Sequence, residues 1–194
     1  MQHNHHVEGV ALRLRPVVDA DAALIVALRS NPALNRFLHA SSDAIQDQLN
    51  WLNAYKTRAG DYYFVVERIT DGRPEGVISL YDIDPDTRQG EWGRWILQPG
   101  SLAAVESAWL IYRFAFNTLG LESVFCRTVA ENTSVVSFHD SCGIDDRRLL
   151  AAQFTLNGRA FDAVEHTVSR KKWTEIQARL QRLAQLAARS MSRG

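Results

Sequence analysis

The sequence predicts one domain of the α/β (α+β) class: a mixed, mostly antiparallel central sheet of about seven strands, helices on both faces, and an extra C-terminal helix. Three observations lead there. Residues 62–97 hold three apolar, β-rich runs divided by turn signals, the pattern of an antiparallel meander. A long amphipathic stretch then separates the third run from a fourth apolar strand, a β-α-β crossover that makes the sheet mixed. The chain has 194 residues, 46% hydrophobic and 23% charged, which suits one globular domain with one sizeable core.

The elements follow in order. Val10 to Arg15 alternates Val10, Leu12 and Leu14 against Ala11, Arg13 and Arg15, a half-buried strand that Pro16 ends. Asp19 can cap a helix running to about Ser30, and Asn31-Pro32 breaks it. Ser42 or Asp43 opens a second helix, with Ile45, Leu49, Leu52 and Tyr55 at helical spacing. The meander strands are Tyr62–Glu67, Gly76–Tyr81 and Gln89–Leu97, with turns at Asp71-Gly72 and Asp84-Pro85-Asp86. Pro99-Gly100-Ser101 stops the third strand, and a helix spans about Leu102 to Thr118 until Gly120. Ser123–Val129 is apolar enough for a central strand. Asn132 starts a short helix ending at Cys142-Gly143, and Asn157-Gly158 turns a hairpin between Arg148–Leu156 and Ala160–Val168. Trp173, Ile176, Leu180, Leu183 and Ala187 then mark an amphipathic helix.

These elements divide the chain into a polar, disordered tail at residues 1–9, the domain at 10–168, and a basic amphipathic helix at 169–194. Formal net charge is zero, so no global field favours nucleic acid or a membrane surface. No apolar run approaches the roughly 18 residues of a spanning helix, and Met1–His6 has no signal-peptide core. His3, His5 and His6 read as part of the tail, and no metal site is expected. Cys126 and Cys142, isolated and without a secretory signal, read as reduced thiols of a cytoplasmic protein. The tail helix carries Arg170, Lys171, Lys172, Arg179, Arg182, Arg189 and Arg193 against Glu175. It is expected to dock on the body or on a second copy of the chain, as in a homodimer, rather than on nucleic acid.

Asn132, Val135, His139, Gly143 and Ile144 are the residues that carry a resemblance. They hold the offsets, after a strand, of a helix pattern of Asn, Ala or a small apolar residue three on, Tyr seven on and Gly-Phe eleven and twelve on, and so the chain resembles the GNAT acyltransferases over about Val10 to Val168. Asn117-Thr118-Leu119-Gly120-Leu121-Glu122, a turn after a helix rich in aromatics, is similar to two subgroups: the ribosomal-protein N-terminal acetyltransferases and the amino-sugar-nucleotide N-acetyltransferases of the pseudaminic acid type. Arg29-Ser30-Asn31 and Val135-Val136-Ser137-Phe138-His139 lean to the second. The resemblance implies a GNAT fold and acetyl transfer from acetyl-CoA, as acyl-donor cosubstrate, to the primary amine of a small molecule or peptide, with no metal. Two residues depart from the family pattern: Ser101 replaces the middle glycine of the cofactor loop, and His139 replaces a tyrosine. They keep open a weakened GNAT-fold binding or regulatory module; transfer to a sugar hydroxyl is a further alternative.

The resemblance also assigns roles. Gln98, Gly100, Ser101, Leu102, Ala103 and Ala104 would form the loop for the cofactor's pyrophosphate, where small side chains and first-turn amides meet an anion at a helix start. Leu102 would have to point away, and Ser101 could equally be a plain N-cap. Ile96 and Leu97 would line the pantetheine arm through their backbone, Asn132 would bond it through its side chain, and Ser137 is a weaker contact. Asn132 could instead serve only as an N-cap. His139 would be the general acid, donating from a protonated imidazole to the leaving thiolate. Glu91, on the strand before the loop, would be the general base, directly or through water; the plainer reading pairs it with Arg94 or Arg127. Trp51, Tyr62, Tyr63, Trp92 and Trp95 are acceptor-pocket candidates, though aromatic residues so spaced are more often core. Trp92 and Trp95 have opposite strand parity, which sends them to opposite faces.

Overall fold

The computed structural model describes residues 3–191. In chain order its elements are β1 (Val7–Glu8), β2 (Leu12–Pro16), α1 (Ala22–Ser30), α2 (Ile45–Tyr55), β3 (Tyr62–Arg68), β4 (Pro74–Asp84), β5 (Gln89–Leu97), α3 (Ala104–Arg113), β6 (Ser123–Val129), α4 (Thr133–Ser141), β7 (Arg147–Leu156), β8 (Arg159–Ser169) and α5 (Arg170–Met191). Among the described residues eight strands form one sheet, ordered β1-β2-β3-β4-β5-β6-β8-β7. Only β5 and β6 run parallel, joined by the crossover through α3.

Each face of the sheet has its own core. On one, Leu12, Leu14, Phe64, Ile78, Trp92, Val124 and Val168 pack under α3 and α5. On the other, Val17, Tyr63, Val65, Val77 and Ile96 pack under α1 and α2. Alternation along β3 divides it in this way: Phe64 and Val66 go to the first face, Tyr63 and Val65 to the second. The C-terminal helix docks on the body. Its buried stripe is Trp173, Ile176, Leu180 and Ala184, facing α3, and Trp173 donates through Nε1 to Asn117 Oδ1 at 3.1 Å.

The eighth strand is β1, which lies in the stretch expected to be a disordered tail. Val7 and Glu8 pair with Leu14 and Arg13. The His3 ring packs on Tyr62 and Phe64, and His5 on Phe114. Glu106, fully buried in the first turn of α3, accepts the amides of Val10, Ala11 and Leu12 on one carboxylate oxygen. A buried carboxylate on a helix thus replaces the alternating pattern that the first nine residues lack.

Two features of β5 position the site. It pairs with β6 only through Gln89–Ser123, Gly90–Val124 and Glu91–Phe125. Beyond these pairs Trp92–Leu97 stays with β4 while Cys126–Val129 stays with β8, and the strands part. In addition, the β4–β5 register shifts between Val77 and Ser79, where Arg94 has a φ of 46°. This bulge adds a residue to β5 and sharpens its bend. It also resets the side-chain alternation. Trp92 and Trp95 therefore lie on the same face, with ring centroids 5.5 Å apart, against the opposite placement that simple parity predicts.

Candidate active site

The wedge left by the parting strands is a cavity of about 300 Å³. Its walls include Trp92, Gly93, Arg94 and Trp95 of β5, Cys126–Val129 of β6, and Asn132, Val135 and His139 at α4. Tyr81 of β4, Leu38 and His39 of the loop after α1, and Phe154 of β7 close the far side. A second cavity of about 470 Å³ continues from it under α1 and α2, sharing Arg29, His39 and Arg94 and adding Trp51 and Tyr63.

Arg94 is held hard. Its guanidinium forms a two-pronged ion pair with Asp61, at 2.6 and 3.0 Å, and lies 4.4 Å over the Tyr81 ring. A left-handed non-glycine residue costs on the order of 1–2 kcal/mol, and charge-assisted bonds of this kind offset it. Next to it, Gly93 is needed for space. A Cβ there would fall 2.6 Å from the Tyr81 hydroxyl.

Glu91 does not line the cavity; Tyr81 and Arg127 stand in front of it. The Tyr81 hydroxyl donates to Glu91 Oε1 at 3.3 Å, and Arg127 Nη1 donates to Oε2 at 3.0 Å. Arg127 also donates to Glu165, which Arg148 holds in turn. The plainer reading of Glu91, an ion pair with Arg127, therefore holds geometrically. Burial raises the Glu91 pKa, opposed by the charge of Arg127 and the bond from Tyr81. Burial, and then the charge of Glu91, pushes the Tyr81 hydroxyl well above its ordinary value, so it stays protonated.

His139 reaches the cavity, but in a state other than the protonated donor expected from sequence. It is 2% exposed, packed against Trp92 and His166, with Nε2 3.6 Å from Cys126 Sγ. Desolvation lowers its pKa to about 3, and His166 pushes the same way. The ring is neutral at neutral pH, and its Nδ1 is buried without a partner in the protein. Cys126 cannot act as a thiolate either, since burial raises its pKa far above the usual range.

The expected cofactor residues are divided between core and surface. Asn132 lines the wedge and stands at the N-cap of α4, yet its side chain makes no capping bond and accepts only from Ser134 Oγ at 3.1 Å. Ser137 is exposed on α4 and lines none of these cavities. Ile96 is buried under α1 and α2, and Leu97 packs on the opposite core, so only their backbone can face the wedge. In the loop, Gly100 has a φ of 76° and nothing near a would-be Cβ. Ser101 Oγ accepts the Ala103 amide at 3.1 Å, which holds the turn before the helix; the N-cap of α3 is Ala103, not Ser101. The amides of Gln98 and Ser101 are likewise taken, by Glu75 O and Gln98 O. Ala103 is fully buried and Leu102 is 49% exposed. The first-turn amides of Ala104 and Val105 have no acceptor within the helix.

Of the aromatic candidates, Trp92 and Trp95 line the wedge, and Trp51 and Tyr63 line the second cavity. Tyr62 does not; it packs on Phe114, 5.1 Å between centroids. Sequence reasoning gave no functional role to Tyr81 or His39, which carry no local motif, and used Arg29 only as part of the Arg29-Ser30-Asn31 resemblance. Their common signal is only visible in space.

A family model for the acetyltransferase (GNAT) domain matches residues 11–145. No match was found among curated proteins. Among solved structures, apo FdhC, a nucleotide-linked sugar GNAT, is 30% identical, with a TM-score of 0.77 over 93% of this chain and 99% of that one. A GCN5-related N-acetyltransferase from Brucella melitensis is 21% identical, TM-score 0.79, over 92% of this chain and 85% of that one. A mutant of the spermidine N-acetyltransferase SpeG from Vibrio cholerae is also 21% identical, TM-score 0.74, over 84% and 96%; at that identity the last two share the fold. The chain belongs to the GNAT acetyltransferase family. Within the described residues no helix is long and apolar enough to cross a membrane.

Proposed function

We propose that the protein transfers an acetyl group from acetyl-CoA to a primary amine, that of an amino-sugar nucleotide or a protein N-terminus. The early parting of β5 and β6 carries this reading. Past Glu91 and Phe125 the two strands turn unpaired edges to each other, and such edges can bond an extended, amide-containing arm. The turn at Gly100 and the first-turn amides of α3 suit the phosphates at one end, and Asn132 offers a free carboxamide N–H₂ along the way. Acetyl-CoA, when bound, supplies the activated thioester. The chain then has to deliver a neutral amine and hold the two reactants together.

Arg29, Arg94 and Arg127 line the wedge, and among the described residues no carboxylate side chain does. Desolvation in the wedge lowers the pKa of an incoming ammonium group. Its proton can pass to the Tyr81 hydroxyl, which hands its own to Glu91, whose raised pKa suits a base. Tyr81 thus becomes the group that touches the substrate, and Glu91 the proton's destination. His139, being neutral, serves as a hydrogen-bonding group rather than as an acid; as the C–N bond forms and the C–S bond breaks, the nitrogen's second proton passes to the departing thiolate. The two buried free thiols, Cys126 and Cys142, support a reducing compartment such as the cytoplasm.

The test is acetyl transfer followed by CoA release and product mass, with amino-sugar nucleotides and peptides as acceptors. Tyr81→Phe and His139→Ala are each expected to lower kcat by about 100-fold or more while acetyl-CoA affinity changes little. No transfer to any amine, at an acetyl-CoA concentration that saturates the protein, would remove the assignment.

A further inference from the structure

Resting on that reading, we infer that the acceptor is anionic, a nucleoside-diphosphate-linked amine, and that Arg29 is the residue that reads its phosphates. The charges around the groove lead to this. Arg94 is neutralised by Asp61 from behind the wall, and Arg127 by Glu91 and Glu165. Arg29 is different. Its guanidinium donates to Ser41 Oγ at 3.1 Å and to the His39 carbonyl at 3.0 Å, both uncharged acceptors of the following loop. Among the described residues no carboxylate forms an ion pair with it. The wedge and the second cavity, with a third beside Asn35 and Asn157, all open onto Arg29 and His39.

The position fits the chemistry. The wedge is lined by Asn132 and Trp95, beside which the thioester would lie, and by Arg29, which the second cavity shares. An amino sugar placed there presents its amine to Tyr81 and its phosphates to Arg29. The second cavity begins at Arg29 and offers Ser42, Asp47 and Gln48 as hydrogen-bonding partners for a nucleoside. A guanidinium with two donors fixed on the loop still has N–H groups for phosphate oxygens. The same lining opposes a polyamine. A second ammonium group in the groove would meet the unpaired charge of Arg29, and among the described residues Asp47 is the sole carboxylate lining the wedge or the second cavity.

Calorimetry with UDP and dTDP tests this without any turnover. Wild type is expected to bind one of them, and Arg29→Gln to bind it at least tenfold more weakly, with acetyl-CoA affinity unchanged as the control for folding. In turnover, Arg29→Gln should raise KM for the nucleotide-linked amino sugar at least tenfold. It should change kcat by less than threefold and leave KM for the same amino sugar without its nucleotide unaltered. Failure of wild type to bind any nucleoside diphosphate overturns the inference whatever the protein acetylates. Acetylation of spermidine or of a neutral peptide N-terminus as efficiently as of any nucleotide-linked amine also overturns it, while leaving acetyl transfer itself intact. If nucleoside diphosphates bind through Arg29 but no amine is acetylated, the anion site stands and the transferase reading falls.

Discussion

At the scale of single residues, the proposed chemistry rests on two side chains, Tyr81 and His139. Gly93 leaves room for the Tyr81 hydroxyl, since a Cβ would meet it at 2.6 Å. Gly93→Ala should therefore displace that hydroxyl and lower kcat/KM by about tenfold, or about 1.4 kcal/mol of barrier. In a Tyr81→Phe background the same change should cost little more, because the displaced group is already gone. Fully additive losses in this double-mutant cycle would show that Gly93 acts elsewhere. His139 makes a prediction about pH. Its folded pKa is near 3, against 6.5 for a free imidazole, so the unfolded chain binds the proton first. The stability that follows from the neutral buried ring is present above pH 6.5 and is lost as pH falls towards 3. The slope is at most about 1.4 kcal/mol per pH unit. Urea unfolding between pH 7 and pH 5 should show a shallower loss for His139→Gln than for wild type; equal slopes would mean that another group governs the acid limb.

At the scale of elements, the clearest case is the clamp between α3 and the β1–β2 turn. Glu106 accepts three consecutive amides there, and Gly9 has no space for a side chain, its would-be Cβ lying 2.2 Å from the same carboxylate. Glu106→Gln weakens charge-assisted bonds in a buried place and should cost about 2–3 kcal/mol. Hydrogen exchange at Val10, Ala11 and Leu12 should quicken in that variant before the rest of the sheet. Uniform loss of protection would mean that the clamp is not a local unit. The C-terminal helix is a second case. Its apolar stripe was legible from spacing, and Trp173, Ile176 and Leu180 are buried as that spacing implies. The stripe drifts, however: Ala184 is fully buried while Leu183 is only partly so. An α-helix of 3.6 residues per turn does not keep a strict seven-residue repeat in line. The wide turn at Phe114–Thr118 after α3 carries no signal of its own, since an extra residue per turn depends on what the helix packs against.

At the scale of the whole molecule, the sheet parts between β5 and β6 beyond Glu91 and Phe125, where the proposed ligand would lie. Binding in the wedge should stabilise the native state, by about 2.7 kcal/mol at a hundredfold excess over Kd. It should also alter the fluorescence of Trp92 and Trp95, which line that wedge. A thermal and fluorescence titration with acetyl-CoA reads both, and a flat response in each would leave the wedge without its ligand.

By itself the sequence determined the class of fold, the order of elements from β2 to α5 and the family, because hydrophobic period, turn residues and the spacing from Asn132 to Ile144 are all local. Local patterns could also nominate Asn132, His139 and Glu91, but not their state. Tertiary structure alone buried His139 so that its pKa falls, set Glu91 behind Tyr81, put Trp92 and Trp95 on one face, and left Arg29 without a carboxylate among the described residues. Protonation depends on burial and on charges brought from distant elements, and a bulge of one residue reverses every side chain beyond it. Neither quantity is written in any short stretch of chain.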